Sequence, residues 1–306
     1  MRFIDKSLRR EDFNAYTVKF LQDCLTPEGD FFPPVDKKNC YEAFSKPDYK
    51  QGRAFHTGKN GWLTVLAEEQ NRHCCYCMKR ISTEEVSVEH VIPESFENLD
   101  ETEEYAFYAS HSEEIKNYVE LESTTKERKY LSKSEVASMV KFPHLVAHGN
   151  LTVACMWKKN GTEIGCCCNN VRGNERILPL MLMSDVEQNV KYQEDGSMLV
   201  FYPNTDGIVV DTIASLRLNN NTLVEVRMLW YKISLTEYNR DALLGLDRIG
   251  RTVFFKHLFN KNTFSEIDIR YSKYADGVNS DTPVYWNLLM QYDWYLDYYR
   301  ANSPQE

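Results

Sequence analysis

The chain has 306 residues, 42% of them hydrophobic and 13% aromatic, with only 10 Pro and 13 Gly, which excludes a disordered linker or a low-complexity array. No run of about 18 apolar residues is present, and the first dozen residues (MRFIDKSLRRED) are heavily charged, so neither a membrane span nor a signal peptide is expected and a cytoplasmic location follows. The net charge of −9 argues against a phosphate-binding surface until its distribution is considered: residues 94–135 carry 12 acidic and 5 basic side chains, so most of the excess lies in one segment.

Phe13, Tyr16, Phe20, Leu21 and Cys24 fall at helical spacing and predict an amphipathic helix that ends at the loop TPEGDFFPPVD. Residues 61–71 (GWLTVLAEEQN) predict a short helix running into Cys74, Cys75 and Cys77. In KRISTEEVSVEHVIP, Val86, Val88, His90 and Ile92 alternate with Ser87, Glu89 and Val91, a strand signal closed by Pro93. Neighbours on a strand face opposite ways, so Glu89 and His90 are expected to serve different partners.

Residues 94–147 read as an acidic helical insertion, with helices expected around EEYAFYASHSEEIKNYVEL and SKSEVASMVKF. GNLTVAC (149–155) then reads as a loop and strand, and NNVRGNERILPL as the start of a helix carrying Arg172 and Arg176. Farther on, Asp195-Gly196 signals a hairpin. LTEYNRDALLGLDRIGRTVFFKHLF predicts one helix capped by Thr236, and a last helix from Pro283 presents Tyr285, Leu288, Leu289, Tyr292, Tyr295, Leu296 and Tyr299 on a face best read as core or interface.

Cysteine grouping carries the first chemical signal. Cys74-x-x-Cys77 supplies two thiolates on one tight turn, half of a tetrahedral zinc site. Cys155, ending the second strand, and Cys168, opening the Arg-bearing helix, would complete a closed structural site across the insertion. Twelve residues separate these two, so Cys166 or Cys167 could replace either; Cys75 and the leftover thiols read as small buried hydrophobes.

The series CCYC, VEHVIP, GNLTVAC and CNNVRGN resembles the motif set of His-Asn-His (HNH, ββα-metal) endonucleases over residues 61–180, and more narrowly the HNH nuclease subunit of Septu-type and retron-linked anti-phage systems. The resemblance implies an α+β protein: a helical region at 1–60, an HNH domain at 61–180 with its insertion, and a hairpin-and-helix region at 181–306. It implies that His90 is the general base, that Glu89 and Asn169 hold Mg²⁺ or Mn²⁺, and that Asn150 ties the loop and orients His90. Arg172 and Arg176 would clamp phosphate, with Lys158 and Lys159 beside Trp157 as a further backbone contact. It also implies a nucleic-acid substrate, DNA before RNA, and an ABC-type ATPase partner. Glu89 stands where many members have Asp, and Asn169 where many have His. On the residues alone, Asn150 also reads as a turn residue, Asn169 as a helix cap with Asn170 as fallback ligand, and the whole as a non-catalytic zinc scaffold.

Overall fold

A computed structural model describes residues 1–24, 39–47, 61–82, 86–94, 103–112, 144–156, 167–202, 207–258 and 284–302. The fold is mixed α+β, with two small sheets among short helices. Helix α1 (Arg10–Cys24) buries Phe13, Tyr16 and Phe20, as its periodicity predicts, and carries Glu11 and Asp12 where the helix dipole favours negative charge. Helices α2 (Cys40–Phe44) and α3 (Trp62–Glu69) complete an aromatic block in which Phe44 stacks on Trp62 at 4.9 Å and Phe13 meets the same indole edge-on at 5.8 Å.

Strand β1 (Val86–His90) follows, then helix α4 (Glu103–His111) inside the acidic segment, and strand β2 (Leu151–Cys155). The second helix expected in the insertion lies outside the described residues. Antiparallel pairing sets Val86 opposite Cys155, Glu89 opposite Thr152 and His90 opposite Leu151. Helix α5 (Asn169–Arg172) is a single turn against this ribbon. A two-stranded ribbon is marginal by itself in water. Here its margins are held by side chains: Lys6 Nζ donates to the Leu151 carbonyl, and Gln70 engages Val153 through both amide atoms, at 2.8 and 2.9 Å.

Beyond Leu180, helix α6 (Val186–Asn189) leads into the predicted hairpin, β3 (Val190–Tyr192) and β4 (Met198–Val200). Gly196 sits at φ +85°, and a Cβ there would lie 1.9 Å from the Val224 carbonyl oxygen, so only glycine fits this turn. Helices α7 (Ile208–Ser215) and α8 (Asn221–Ser234) come next; the latter is capped by Asn220, whose side chain accepts from Leu223 N at 3.1 Å.

The single helix expected after Leu235 is instead two, α9 (Arg240–Leu244) and α10 (Arg248–Leu258). Asn239 caps the first and Asp247 accepts from Gly250 N near the start of the second, while Thr236 donates to the Ile233 carbonyl and closes α8. The last helix is also two, α11 (Val284–Met290) and α12 (Trp294–Asn302). Asp293, in the break, is buried and pairs with Arg80 and Arg240. The tyrosine stripe is core: Tyr292, Tyr295 and Tyr299 are buried, and the Arg227 guanidinium lies 4.9 Å from the Tyr192 ring centre and 5.4 Å from that of Tyr295. Among the described residues, no helix is long and apolar enough to cross a membrane.

Candidate metal centre and candidate catalytic ribbon

Cys74, Cys77, Cys155 and Cys168 converge, with their four sulfur atoms all within 4.8 Å of one another and every residue buried. The turn that presents the first pair is closed by Met78 N bonding to the Cys74 carbonyl and Cys74 N to that of Lys79, with Met78 at φ +58°. Cys77 and Cys155 lie 3.7 Å apart, as do Cys74 and Cys168. Four sulfurs at about 2.3 Å from a tetrahedral zinc stand about 3.8 Å from one another, so the cluster fits such an ion, while a disulfide would need about 2.05 Å.

Four buried cysteines could thus hold a metal such as zinc. Burial pushes the Cys77 and Cys168 thiols well up, and a divalent ion would displace their protons. Cys168 adopts φ +62°, ψ −143°, a region costing a non-glycine residue about 1–3 kcal/mol, and its N–H bonds to the Leu216 carbonyl at 2.9 Å. Cys75 is buried but is not one of the four, its sulfur accepting from Thr152 Oγ1 at 3.6 Å, and the Cys167 sulfur lies 3.5 Å from that of Cys168. Cys166, Trp157, Lys158 and Lys159 lie outside the described residues.

From this staple the ribbon carries the other expected residues. Asn150 is buried and binds Ile92 twice, Oδ1 accepting from its N–H at 2.7 Å and Nδ2 donating to its carbonyl at 3.2 Å. Asn169 lies against β1, its Nδ2 donating to the Val88 carbonyl at 3.0 Å and to Ser87 Oγ at 3.3 Å; its side chain does not cap α5.

His90 is half-buried, with Tyr41 edge-on at 4.4 Å between ring centres. Its Nε2 pairs with the Leu145 carbonyl at 3.0 Å, which assigns the proton to Nε2 and leaves Nδ1 as the basic nitrogen. Burial lowers the imidazole to about 4, so it is neutral at pH 7.

Glu89, on the other side of the strand, is 1% exposed. Tyr76, from between the zinc-type cysteines, donates to its Oε1 at 2.7 Å, and Arg172 Nη1 pairs with the same oxygen. Burial raises the Glu89 carboxyl, opposed by Arg172 and Tyr76. Arg172 is itself buried, and all five of its N–H groups have internal acceptors: Glu89 and the His90 carbonyl from Nη1, the Val91 carbonyl and Tyr108 hydroxyl from Nη2, and the Glu175 carbonyl from Nε.

That arrangement bears on the two remaining expectations. Arg172 has no donor left for a phosphate oxygen. A divalent ion on Glu89 and Asn169 does not fit as the side chains stand, because the Arg172 guanidinium and the Tyr76 hydroxyl already hold the buried carboxylate. Arg176 is exposed, its guanidinium 5.4 Å from the Phe107 ring centre.

Several residues at the site were not anticipated. Tyr76 and Tyr108 hold the Glu89–Arg172 pair, and Lys6, Glu69 and His148 form a buried chain in which Glu69 pairs with Lys6 and with His148 Nε2 at 2.8 Å. Tyr76 lies within the cysteine motif, where its phenol was open to notice. Lys6 and Glu69 are 63 positions apart, and no local spacing joins them. No family model, curated protein or solved structure matches the chain.

Proposed function

We infer that the protein is an HNH-type endonuclease that hydrolyses phosphodiester bonds, with the cysteine cluster holding a structural zinc. The observation that carries this reading is the meeting of four separate sequence motifs on one stapled unit: Cys74 and Cys77, the Glu89-His90 end of β1, Asn150 entering β2, and Asn169 on α5. A scaffold needs the cysteines but gives no reason for an imidazole held neutral by burial beside an Asn that fixes the following backbone through two hydrogen bonds.

In this role His90 Nδ1 takes the proton of the attacking water; burial keeps the imidazole neutral at pH 7 but, by lowering it to about 4, makes it a weaker base than one titrating near neutrality. Asn150 is a positioning residue, holding the backbone that follows His90. DNA is the favoured substrate and structured RNA the alternative. The motif resemblance extends the proposal to an effector of cytoplasmic anti-phage defence working with an ABC-type ATPase.

Purified zinc-loaded protein, assayed with Mg²⁺ or Mn²⁺ on plasmid DNA and on total RNA, tests the reading. His90→Ala should abolish cleavage while zinc content stays at one per chain. Unchanged cutting by that variant would remove His90 from the mechanism. A second reading, a non-catalytic zinc module, draws on the complete internal pairing of Arg172; it predicts no cleavage by any preparation and unfolding when zinc is removed.

A further inference from the structure

We propose that Cys167 is an alternative fourth ligand of the cysteine cluster, exchanging with Cys74 across the face formed by Cys77, Cys155 and Cys168, so that one metal ion has two adjoining tetrahedral seats. The inference rests on the structural-zinc part of the reading above and needs none of its nuclease chemistry.

Five buried thiols meet at this centre, one more than a tetrahedral ion requires. The Cys167 sulfur lies 3.5 Å from that of Cys168, as close as the 3.7 Å pairs Cys74–Cys168 and Cys77–Cys155 within the tetrad. Cys77, Cys155 and Cys168 each engage the thiols of the other two and those of both Cys74 and Cys167. Between Cys74 and Cys167 themselves the interaction is the longer-range one of charge. Two points that each neighbour all three corners of a triangle, but not one another, lie on its opposite sides. Cys74 and Cys167 therefore stand at the two apices of a shared triangular face. Cys75, by contrast, engages Cys74 and Thr152.

Adjacent side chains on an extended chain point apart, which would carry one of two neighbouring cysteines away from the centre. Cys168 departs from that geometry. Its φ of +62° and ψ of −143° turn the chain, and its N–H is tied to the Leu216 carbonyl at 2.9 Å, so both sulfurs face the cluster. Strain of this kind persists where the surroundings over-determine it, and a centre that uses both thiols does so. The two seats adjoin too closely for double occupancy. With metal–sulfur bonds of about 2.3 Å, the centres of two tetrahedra sharing a face stand about 1.5 Å apart, so the cluster holds one ion and leaves one apical thiol unused. A shift of that size through the face replaces Cys74 by Cys167 while three ligands stay in place.

The test loads the full chain with Co²⁺ in place of zinc and reads its visible and near-ultraviolet absorption, in which the charge-transfer intensity counts bound thiolates. Wild type, Cys74→Ala, Cys74→Ser and Cys167→Ala should each bind one Co²⁺ with the spectrum of four thiolates. Cys74→Ala combined with Cys167→Ala should show three, and bind at least about a hundredfold more weakly, the share of one ligand among four. Cys74→Ser keeps the size of the side chain and guards against a packing defect in the alanine variant. A three-thiolate spectrum, or no bound ion, from both Cys74 variants would overturn the exchange and leave Cys74 an obligatory ligand. Loss of a thiolate from Cys167→Ala with Cys74→Ala unchanged would overturn it from the other side, making Cys167 the sole fourth ligand. Absence of bound Co²⁺ in wild type would overturn the exchange and the zinc reading together, while the cleavage assay remains a separate measure of the nuclease reading.

Discussion

Asn150 and Ile92 exchange two hydrogen bonds across 58 positions of sequence, the Asn side chain standing in for the strand partner that Ile92 lacks after β1 ends. Both atoms of the Ile92 peptide pairing are buried, and truncating Asn150 would leave them without partners. Asn150→Ala should lower stability by about 2–4 kcal/mol, the usual cost of exposing two buried polar groups to no acceptor or donor. Urea midpoints with a common slope would measure it; a loss under about 0.5 kcal/mol would mean that water replaces the amide.

The cysteine cluster separates ligands from bystanders. On the proposed zinc reading, Cys77→Ser or Cys155→Ser should reduce bound zinc from one per chain to near zero and make the protein sensitive to mild denaturant. Cys75→Ser should leave zinc bound, because its sulfur answers Thr152. Elemental analysis after dialysis against a chelator reads the difference, and zinc loss from the Cys75 variant would place that thiol in the cluster.

The Lys6–Glu69 pair is buried on both sides, with 0% exposure of either side chain. Breaking it from one side leaves an uncompensated charge, so Lys6→Met alone should cost about 3–5 kcal/mol. Lys6→Met with Glu69→Gln should recover much of that loss, because both charges are removed while an amide oxygen remains for His148 Nε2. Thermal or urea unfolding of the two variants decides it: equal destabilisation would show that the Lys6 bond to the Leu151 carbonyl, not the ion pair, matters.

His90 gives a pH dependence with a defined sign. Its native imidazole is lowered to about 4 from an ordinary value of about 6.5, so between those limits the unfolded chain binds a proton that the native one refuses. Stability therefore falls as pH drops from about 6.5 towards 4, at up to about 1.4 kcal/mol per pH unit from this residue, and its contribution is fully present above that window. His148 is lowered as well, by burial and then Lys6, and acts in the same direction. His90→Gln should flatten the slope, and taking the difference from wild type at each pH cancels the contribution of the clustered thiols. An unchanged slope would mean that the ring is solvated.

Local pattern made β1, β2, the Asp195-Gly196 hairpin and the four-cysteine set legible, because period-two alternation, turn glycine and paired thiols each reflect short-range physics. Helix ends in the last third were less so: Asn239 outcompeted Thr236 as a cap, and the break at Asp293 depends on Arg80, 213 residues earlier. The engagement of Glu89 by Arg172 was out of reach for the same reason. Spacing indicates that Arg172 lies near the ribbon; only packing determines that its guanidinium turns inward to a carboxylate rather than outward to a phosphate.

Both margins of the β1–β2 ribbon are occupied by side chains, Lys6 and Gln70 along β2 and Asn169 and Arg172 along β1. An unguarded strand edge is a template on which another chain can add, and a two-stranded sheet has two of them. Gln70 gives Val153 the same pair of bonds that an intruding backbone would give, and the Cys75 N–H bonds to the same carbonyl at 3.1 Å, so the ribbon is sealed against strand addition without a third strand. Swapping Gln70 for an apolar residue of equal size would strand the buried Val153 N–H while the Cys75 N–H still holds the Val153 carbonyl, so this side of the sheet would be loosened rather than opened.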